Sequence, residues 1–262
     1  MLSFSSQGSG PKLLLIHGLG STRRAWSPIL AALAAHREVI TLDLPGHGES
    51  PAEADSGTFA GLARSVRAFV TDQGLTGLDM VGSSLGGRLV LELARTGEAG
   101  SVVALDPGGF WRGWERTFFS STISASVNLL RLARPALPAL AGNPLTRSAL
   151  LVQLSARPWG LDPKLVASEL ASFVSTPTFA ALVADLAAGP EQEGPAAPTT
   201  GKVVIGWGNQ DRLCIPVQAK RAQAAFPSSS LHWFMGSGHF PMWDQPVETA
   251  QVILDATGGR WR

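Results

Sequence analysis

Short, mainly apolar runs recur along the chain at Leu13–Ile16, Val39–Leu42, Leu78–Val81, Val102–Leu105, Val203–Ile205 and Leu231–Phe234. Runs of this length without regular polar alternation predict strands buried on both faces, as in a parallel sheet. Between most of them lie amphipathic stretches of helical length. Arg24–Ala35 sets Trp26, Ile29, Leu30 and Leu33 on one face, Phe59–Gln73 does so with Leu62, Val66, Phe69 and Val70, and Gly86–Arg95 with Leu89, Val90 and Leu93. Strand alternating with helix predicts an α/β class: a mostly parallel central sheet flanked by helices. No internal repeat is visible.

The alternation stops between Gly108 and Gly201. That stretch predicts helices alone, at Ser126–Arg134, Leu145–Leu154, Pro163–Val174 and Phe179–Ala188, and ends in a Gly/Pro-rich segment, Gly189–Gly201. The expected layout is therefore a core of residues 1–107 and 202–262 interrupted by a helical cap, 108–201. The cap carries the aromatic residues Phe110, Trp111, Trp114, Phe118 and Phe119, which are expected to roof a pocket, with Trp159 and Phe173 joining them. Arg112 and Arg116 interleave with this cluster and read first as solvated surface residues.

Composition narrows the partner. The 262 residues carry 21 basic and 20 acidic side chains, a net charge of +1, and only 16% are charged. Without a basic excess, nucleic acid and anionic membrane surfaces are not the expected partners. A small, neutral or apolar molecule is. The single cysteine, Cys214, forms no internal disulfide. The first residues lack a basic and then apolar signal segment, and no run approaches the ~18 apolar residues of a spanning helix. A cytoplasmic location is the expectation.

The sharpest local signal is Gly82-Ser-Ser84-Leu-Gly86, a G-x-S-x-G that follows an apolar strand and opens a helix. A serine on so tight a turn needs small residues two positions either side, and the backbone N–H of Leu85 then points at a developing oxyanion. A serine hydroxyl needs a base. Of five histidines, His239 follows the last apolar run, whereas His36, His232, His47 and His17 read as helix-end, strand and loop residues. Asp211, just past Val203–Ile205, is the preferred acid for His239; Asp106, in an Asp-Pro turn after Val102–Leu105, is its competitor. The loop His17-Gly-Leu19-Gly20 supplies a second oxyanion donor, Leu19 N–H.

Together with Asp43-Leu-Pro-Gly-His-Gly-Glu-Ser50, Gly208-Asn-Gln-Asp211 and Gly238-His239-Phe, these motifs resemble the α/β-hydrolase superfamily in order and register. The resemblance covers the chain outside 108–201, where that superfamily carries its variable cap. It implies an eight-stranded sheet, parallel except near its start, with an initial strand in doubt because only about twelve residues precede Leu13. It also implies a Ser84–His239–Asp211 triad with no cofactor and no metal. The pattern is closest to cofactor-free esterases, perhydrolases and carbon–carbon bond hydrolases; Ser84 argues against the aspartate-nucleophile dehalogenases and epoxide hydrolases. A carboxylesterase acting on an apolar ester is the expectation, with a carbon–carbon hydrolase, lactonase or perhydrolase as the alternative. Two further readings compete. Gly18-Leu-Gly20 followed by Asp43 mimics a dinucleotide fingerprint, but Arg23 stands where its third glycine should be. A ligand-binding protein that keeps the fold without catalysis would not need all three triad residues.

Overall fold

The computed structural model describes residues 1–196 and 198–258. Its seven strands are β1 (Phe4–Gln7), β2 (Lys12–Ile16), β3 (Glu38–Leu42), β4 (Asp79–Ser83), β5 (Val102–Leu105), β6 (Val203–Gly208) and β7 (Ser230–Phe234). They form one sheet in the order β1-β3-β2-β4-β5-β6-β7, parallel except for β1. All six expected strands are present. The sheet has seven strands and not eight, and the first of them lies in the short N-terminal segment, where Phe4 faces Leu42 in antiparallel register. Every residue of β1 is exposed, so no apolar pattern announced it.

The helices are α1 (Ser27–Ala34), α2 (Phe59–Asp72), α3 (Leu85–Arg95), α4 (Trp114–Leu132), α5 (Leu137–Gly142), α6 (Pro144–Leu150), α7 (Pro163–Ser175), α8 (Phe179–Ala188), α9 (Val217–Ala225), α10 (Pro241–Asp244) and α11 (Pro246–Ala256). α3 packs on β4 and β5, and α1 on α11. Leu13, Leu14, Leu15 and Ile16 of β2 are wholly buried at the centre of this stack. Burying each such side chain favours folding by about 1.5–3 kcal/mol.

From β2 the chain steps to β3 on one side, then crosses back over β2 to β4 on the other. The C-terminal ends of β2 and β4 therefore flank a topological switch point, where open α/β sheets leave a crevice for a ligand. The loop after β2 carries Gly18 to Gly20, and the turn after β4 carries Ser84.

Between β5 and β6 the described residues form helices and no strand. α4 starts twelve residues before the expected Ser126, and α6 stops at Leu150, four before the expected end. α5 forms between the expected helices, in a segment that holds Pro135 and Pro138. Both prolines sit in first-turn positions, Pro135 of a 3-10 turn and Pro138 of α5, where a missing N–H costs nothing. The insertion is tied to the sheet-bearing part by polar anchors: Arg221 to Glu115 at 2.6 Å, Phe59 N–H to Asp185 at 2.8 Å, and the Arg88 guanidinium to the Pro190 carbonyl at 2.8 Å. Among the described residues no single helix is long and apolar enough to cross a membrane; α7 and α8 pass that test only as a pair bent by 78°.

Arg37 closes the lower edge of the sheet. Its guanidinium donates to the carbonyls of Pro11 (2.9 Å), Lys12 (2.9 Å) and Thr257, and to Asp79 at 2.8 Å, and the residue is only 2% exposed. Arg37→Met leaves Asp79 without its cation and the Lys12 and Thr257 carbonyls without this donor, while Asp79 keeps Ser101 N–H and Pro11 keeps Glu38 N–H. It is expected to lower stability by about 3 kcal/mol, read as a lower urea midpoint; an unchanged midpoint would show that the guanidinium is dispensable.

Candidate active site

Ser84 caps α3 at φ 55° and ψ −113°, a conformation that a residue with a β-carbon adopts only under strain. The glycines beside it make the turn possible. A β-carbon on Gly82 would lie 2.0 Å from the Gly86 carbonyl oxygen, and one on Gly86 would lie 2.1 Å from that of Ile16. Three backbone bonds hold Ser84 in place: its N–H donates to Leu105 at 2.8 Å, and its carbonyl accepts from Arg88 at 3.0 Å and from Gly108 at 3.2 Å. Gly18 comes so close that a β-carbon there would sit 3.1 Å from Ser84 Cβ. Among the described residues, neither Leu19 N–H nor Leu85 N–H, the first of α3, has an acceptor.

His239 arrives from the loop after β7. It is 1% exposed, and its Nδ1 bonds Asp211 Oδ2 at 2.7 Å. Asp211 Oδ1 accepts the N–H groups of Leu213 (2.7 Å) and Cys214 (3.0 Å). These contacts favour a carboxylate at Asp211 and fix the ring so that Nε2 faces away from it. Nε2 is buried and has no partner of its own. Ser84 and His239 line one cavity of about 20 Å³, together with Leu19, Phe119, Ile123, Leu154, Phe173, Leu213 and Phe240. That volume holds about one water.

The cavity draws on the aromatic cluster differently from expectation. Phe119 and Ile123, one turn apart on α4, face it. Trp114 and Phe118 lie on another face of the same helix, edge to face with one another at 5.7 Å, and Trp114 is 65% exposed. Trp111 stands behind the lining, stacked on Phe119 at 4.6 Å, and the Phe110 carbonyl accepts from Arg221. None of Phe110, Trp111, Trp114 and Phe118 reaches the cavity wall. Arg112 meets Glu191 at 3.3 Å and Arg116 the Gly189 carbonyl at 2.6 Å, both away from it.

Two of the other histidines serve the loops. His17 Nε2 accepts Leu44 N–H at 3.0 Å, joining the loop after β2 to that after β3, and burial lowers its pKa to about 4. Burial, with His17 close by, lowers His47 to about 3. His232 pairs with Glu248 at 3.0 Å on the sheet's far edge. Arg23 forms an ion pair with Asp43, which also accepts Arg23 N–H at 2.7 Å. The acid that a dinucleotide site would offer to a ribose is thus consumed in fixing the loop after β2. Asp211, Cys214 and His239 could gather around a metal, since one ligand atom from each lies within 4.8 Å of the others. The set is a poor one: Asp211 is already occupied by three donors, and burial pushes the Cys214 thiol well above its ordinary pKa, keeping it protonated.

Two residues that sequence reasoning did not single out complete the surroundings. Asp244 accepts from Gly238 N–H (2.7 Å), Ser155 Oγ (2.5 Å) and Ala156 N–H (2.8 Å), binding the His239 loop to the insertion. Glu169 of α7 is wholly buried and accepts from the hydroxyls of Ser21 and Thr22, next to the Gly18–Gly20 loop. For Asp244 the signal was its place in the His239 motif; Glu169 carried none, because an acid in an amphipathic helix normally faces solvent.

Comparison with known proteins bears on the fold and the family. Residues 13–252 match the family model described as alpha/beta hydrolase family. An uncharacterised protein of Mycobacterium bovis is 30% identical over 267 residues, 96% of this chain and 76% of its own length. A 2-hydroxy-6-oxononadienedioate/2-hydroxy-6-oxononatrienedioate hydrolase of Dechloromonas aromatica is 24% identical over 268 residues, 97% of this chain and 89% of its own. The structure of a thermophilic esterase from Thermogutta terrifontis superposes with a TM-score of 0.76 at 20% identity, covering 97% of this chain and 92% of that one.

Burial raises the pKa of Glu169 from 4.5 to about 7, against the opposing pull of the Ser21 and Thr22 hydroxyls. Between those pH values the fold holds a proton that the unfolded chain has released, so stability falls as pH rises from 4.5 towards 7. The loss is at most about 3 kcal/mol. Glu169→Gln carries no such proton. Its melting temperature relative to wild type is expected to rise between pH 5 and pH 8; a difference independent of pH would contradict the assignment.

Proposed function

The chain belongs to the alpha/beta hydrolase family, and from that premise we propose that it is a serine hydrolase of uncharged carboxylic esters with apolar groups. One observation carries the reading. His239 is held by Asp211 through one ring nitrogen, its other nitrogen is buried and unpartnered among the described residues, and His239 and Ser84 line one small cavity. A neutral imidazole in that position is a base without a proton to take until Ser84 and a substrate supply one.

In the proposed reaction Ser84 Oγ attacks the ester carbonyl and passes its proton to His239 Nε2. Asp211 stabilises the imidazolium that results. Leu19 N–H and Leu85 N–H, both free of other acceptors, take the oxyanion; one such donor is worth about 3–4 kcal/mol in enzymes of this kind. His239 then protonates the alcohol as the carbon–oxygen bond breaks, leaving an acyl-enzyme. A water deprotonated by His239 releases the acid.

The cavity wall favours an ester over the alternative chemistries. Apart from Ser84 and His239 it is apolar, with no arginine or lysine. The Dechloromonas relative is named for a dioate, a substrate with two carboxylates; here neither charge would find a partner, and burying one unpaired is costly. An acyl group larger than a water must displace Phe119, Ile123 or Phe173, so the helical insertion acts as a cap that sets substrate length.

Kinetics with p-nitrophenyl esters of rising chain length test the reading. Wild type is expected to turn over short and medium esters, and Ser84→Ala to lose at least about 10³-fold in kcat/KM. No turnover of any ester by wild type would end the proposal. Ile123→Ala enlarges the wall without touching the reacting atoms. It is expected to raise the octanoate-to-acetate ratio of kcat/KM by about tenfold; an unchanged ratio would remove the cap from specificity.

A further inference from the structure

Beside the proposed triad stands a second carboxyl group that the reaction does not use. Asp106 follows β5 with φ 43°, is wholly buried, and is pinned by its own N–H to the Gly206 carbonyl at 2.8 Å. Its Oδ1 accepts Gly208 N–H at 2.9 Å. Its Oδ2 is buried with no donor among the described residues, and the Asp211 carboxyl lies near enough to act on it. An ionised oxygen buried without a donor is costly, whereas a protonated one can donate to a neighbouring carboxylate.

Which carboxyl carries it follows from the donors each one has. Asp211 receives three: Leu213 N–H, Cys214 N–H and His239 Nδ1. Asp106 receives one, from Gly208. Buried like charges in contact do not both ionise, and the better-solvated member keeps the charge. We propose that Asp106 is a positioning residue that stays protonated and donates its O–H to the Asp211 carboxylate. The surroundings agree. Burial, then the charges of Asp211 and Asp244, push the Asp106 carboxyl well above the ordinary carboxylate range, and the neighbouring Cys214 thiol supplies no cation.

The inference rests on the reading of Ser84, His239 and Asp211 given above. The bond from Asp106 does two things there. It helps fix the plane of the Asp211 carboxylate, and it draws off part of the charge that Asp211 presents to the imidazolium. The proton taken from Ser84 must later be given to the leaving alcohol, so a weaker hold on the imidazolium suits both steps. Asp106 touches neither substrate nor reacting atoms.

Two measurements on the full chain test this. In protein labelled with ¹³C at the aspartate carboxyls, wild type at pH 7 should show one signal of a protonated carboxyl, absent from Asp106→Asn. This readout does not need activity, so it stands even if no ester is hydrolysed. The second is the pH profile of kcat/KM. Asp106→Leu removes the donor, leaves Asp211 more basic, and should move the acid limb up by about one pH unit, a tenfold loss on that side. Asp106→Asn, whose amide can still donate to Asp211 and accept from Gly208, should restore the wild-type limb. If Asp106 were ionised, the asparagine would remove a negative charge near the imidazolium and move the limb down instead. That result, a leucine profile superimposed on wild type, or no protonated aspartate signal would each overturn the proposal. Should Asp106→Leu not fold, the carboxyl signal and the asparagine profile decide it.

Discussion

Ser84 stands on its turn because the two glycines beside it let backbone approach backbone where no side chain would fit. With the Gly82 β-carbon position 2.0 Å from one carbonyl oxygen and that of Gly86 2.1 Å from another, the chain turns from β4 into α3 in a single residue. The strain at Ser84 is held by bonds to β5 and α3 on either side. Everything else at the site is arranged around that fixed point. The loop after β2 closes on it through Gly18, and the loops after β6 and β7 bring Asp211 and His239 to the same sheet edge.

These loops are braced by groups that perform no chemistry. Arg23 and Asp43 hold the first, His17 ties it to the loop after β3, and Asp244 fastens the His239 loop to the insertion. Glu169 and Phe173 of α7 rest on the Gly18–Gly20 loop; a β-carbon on Gly20, at φ +72°, would meet Phe173 at 2.8 Å. The helical insertion and the Gly18–Gly20 loop are thus packed as one surface. Leu19, Phe119, Ile123 and Phe173 line the same small cavity, so moving the side chains of the insertion also disturbs the wall that Leu19 forms.

How much of this was legible in the sequence depended on the kind of constraint. Five of the six expected strands showed as apolar runs because both faces of an inner parallel strand are buried, and Leu231–Phe234 showed by composition although its edge strand is mostly half-buried. The order of Ser84, Asp211 and His239 followed from their places at strand ends. β1 stayed hidden because Phe-Ser-Ser-Gln is exposed throughout and pairs on one side only. The cavity wall was misread for a different reason. Aromatic content marked the start of the insertion, but only the register of α4 decides that Phe119 and Ile123 face Ser84 while Trp114 and Phe118 face away. Glu169 and the pairing of Asp106 with Asp211 depend on contacts between residues more than a hundred positions apart, which no local pattern encodes.

The central claim is that Ser84 is the nucleophile. Treating the native protein with a fluorophosphonate and mapping the adduct by peptide mass spectrometry tests it without knowledge of the natural substrate. The account predicts one adduct per chain, on Ser84, formed by wild type and absent from Ser84→Ala. Equal labelling of both proteins, or an adduct on another residue, would contradict it.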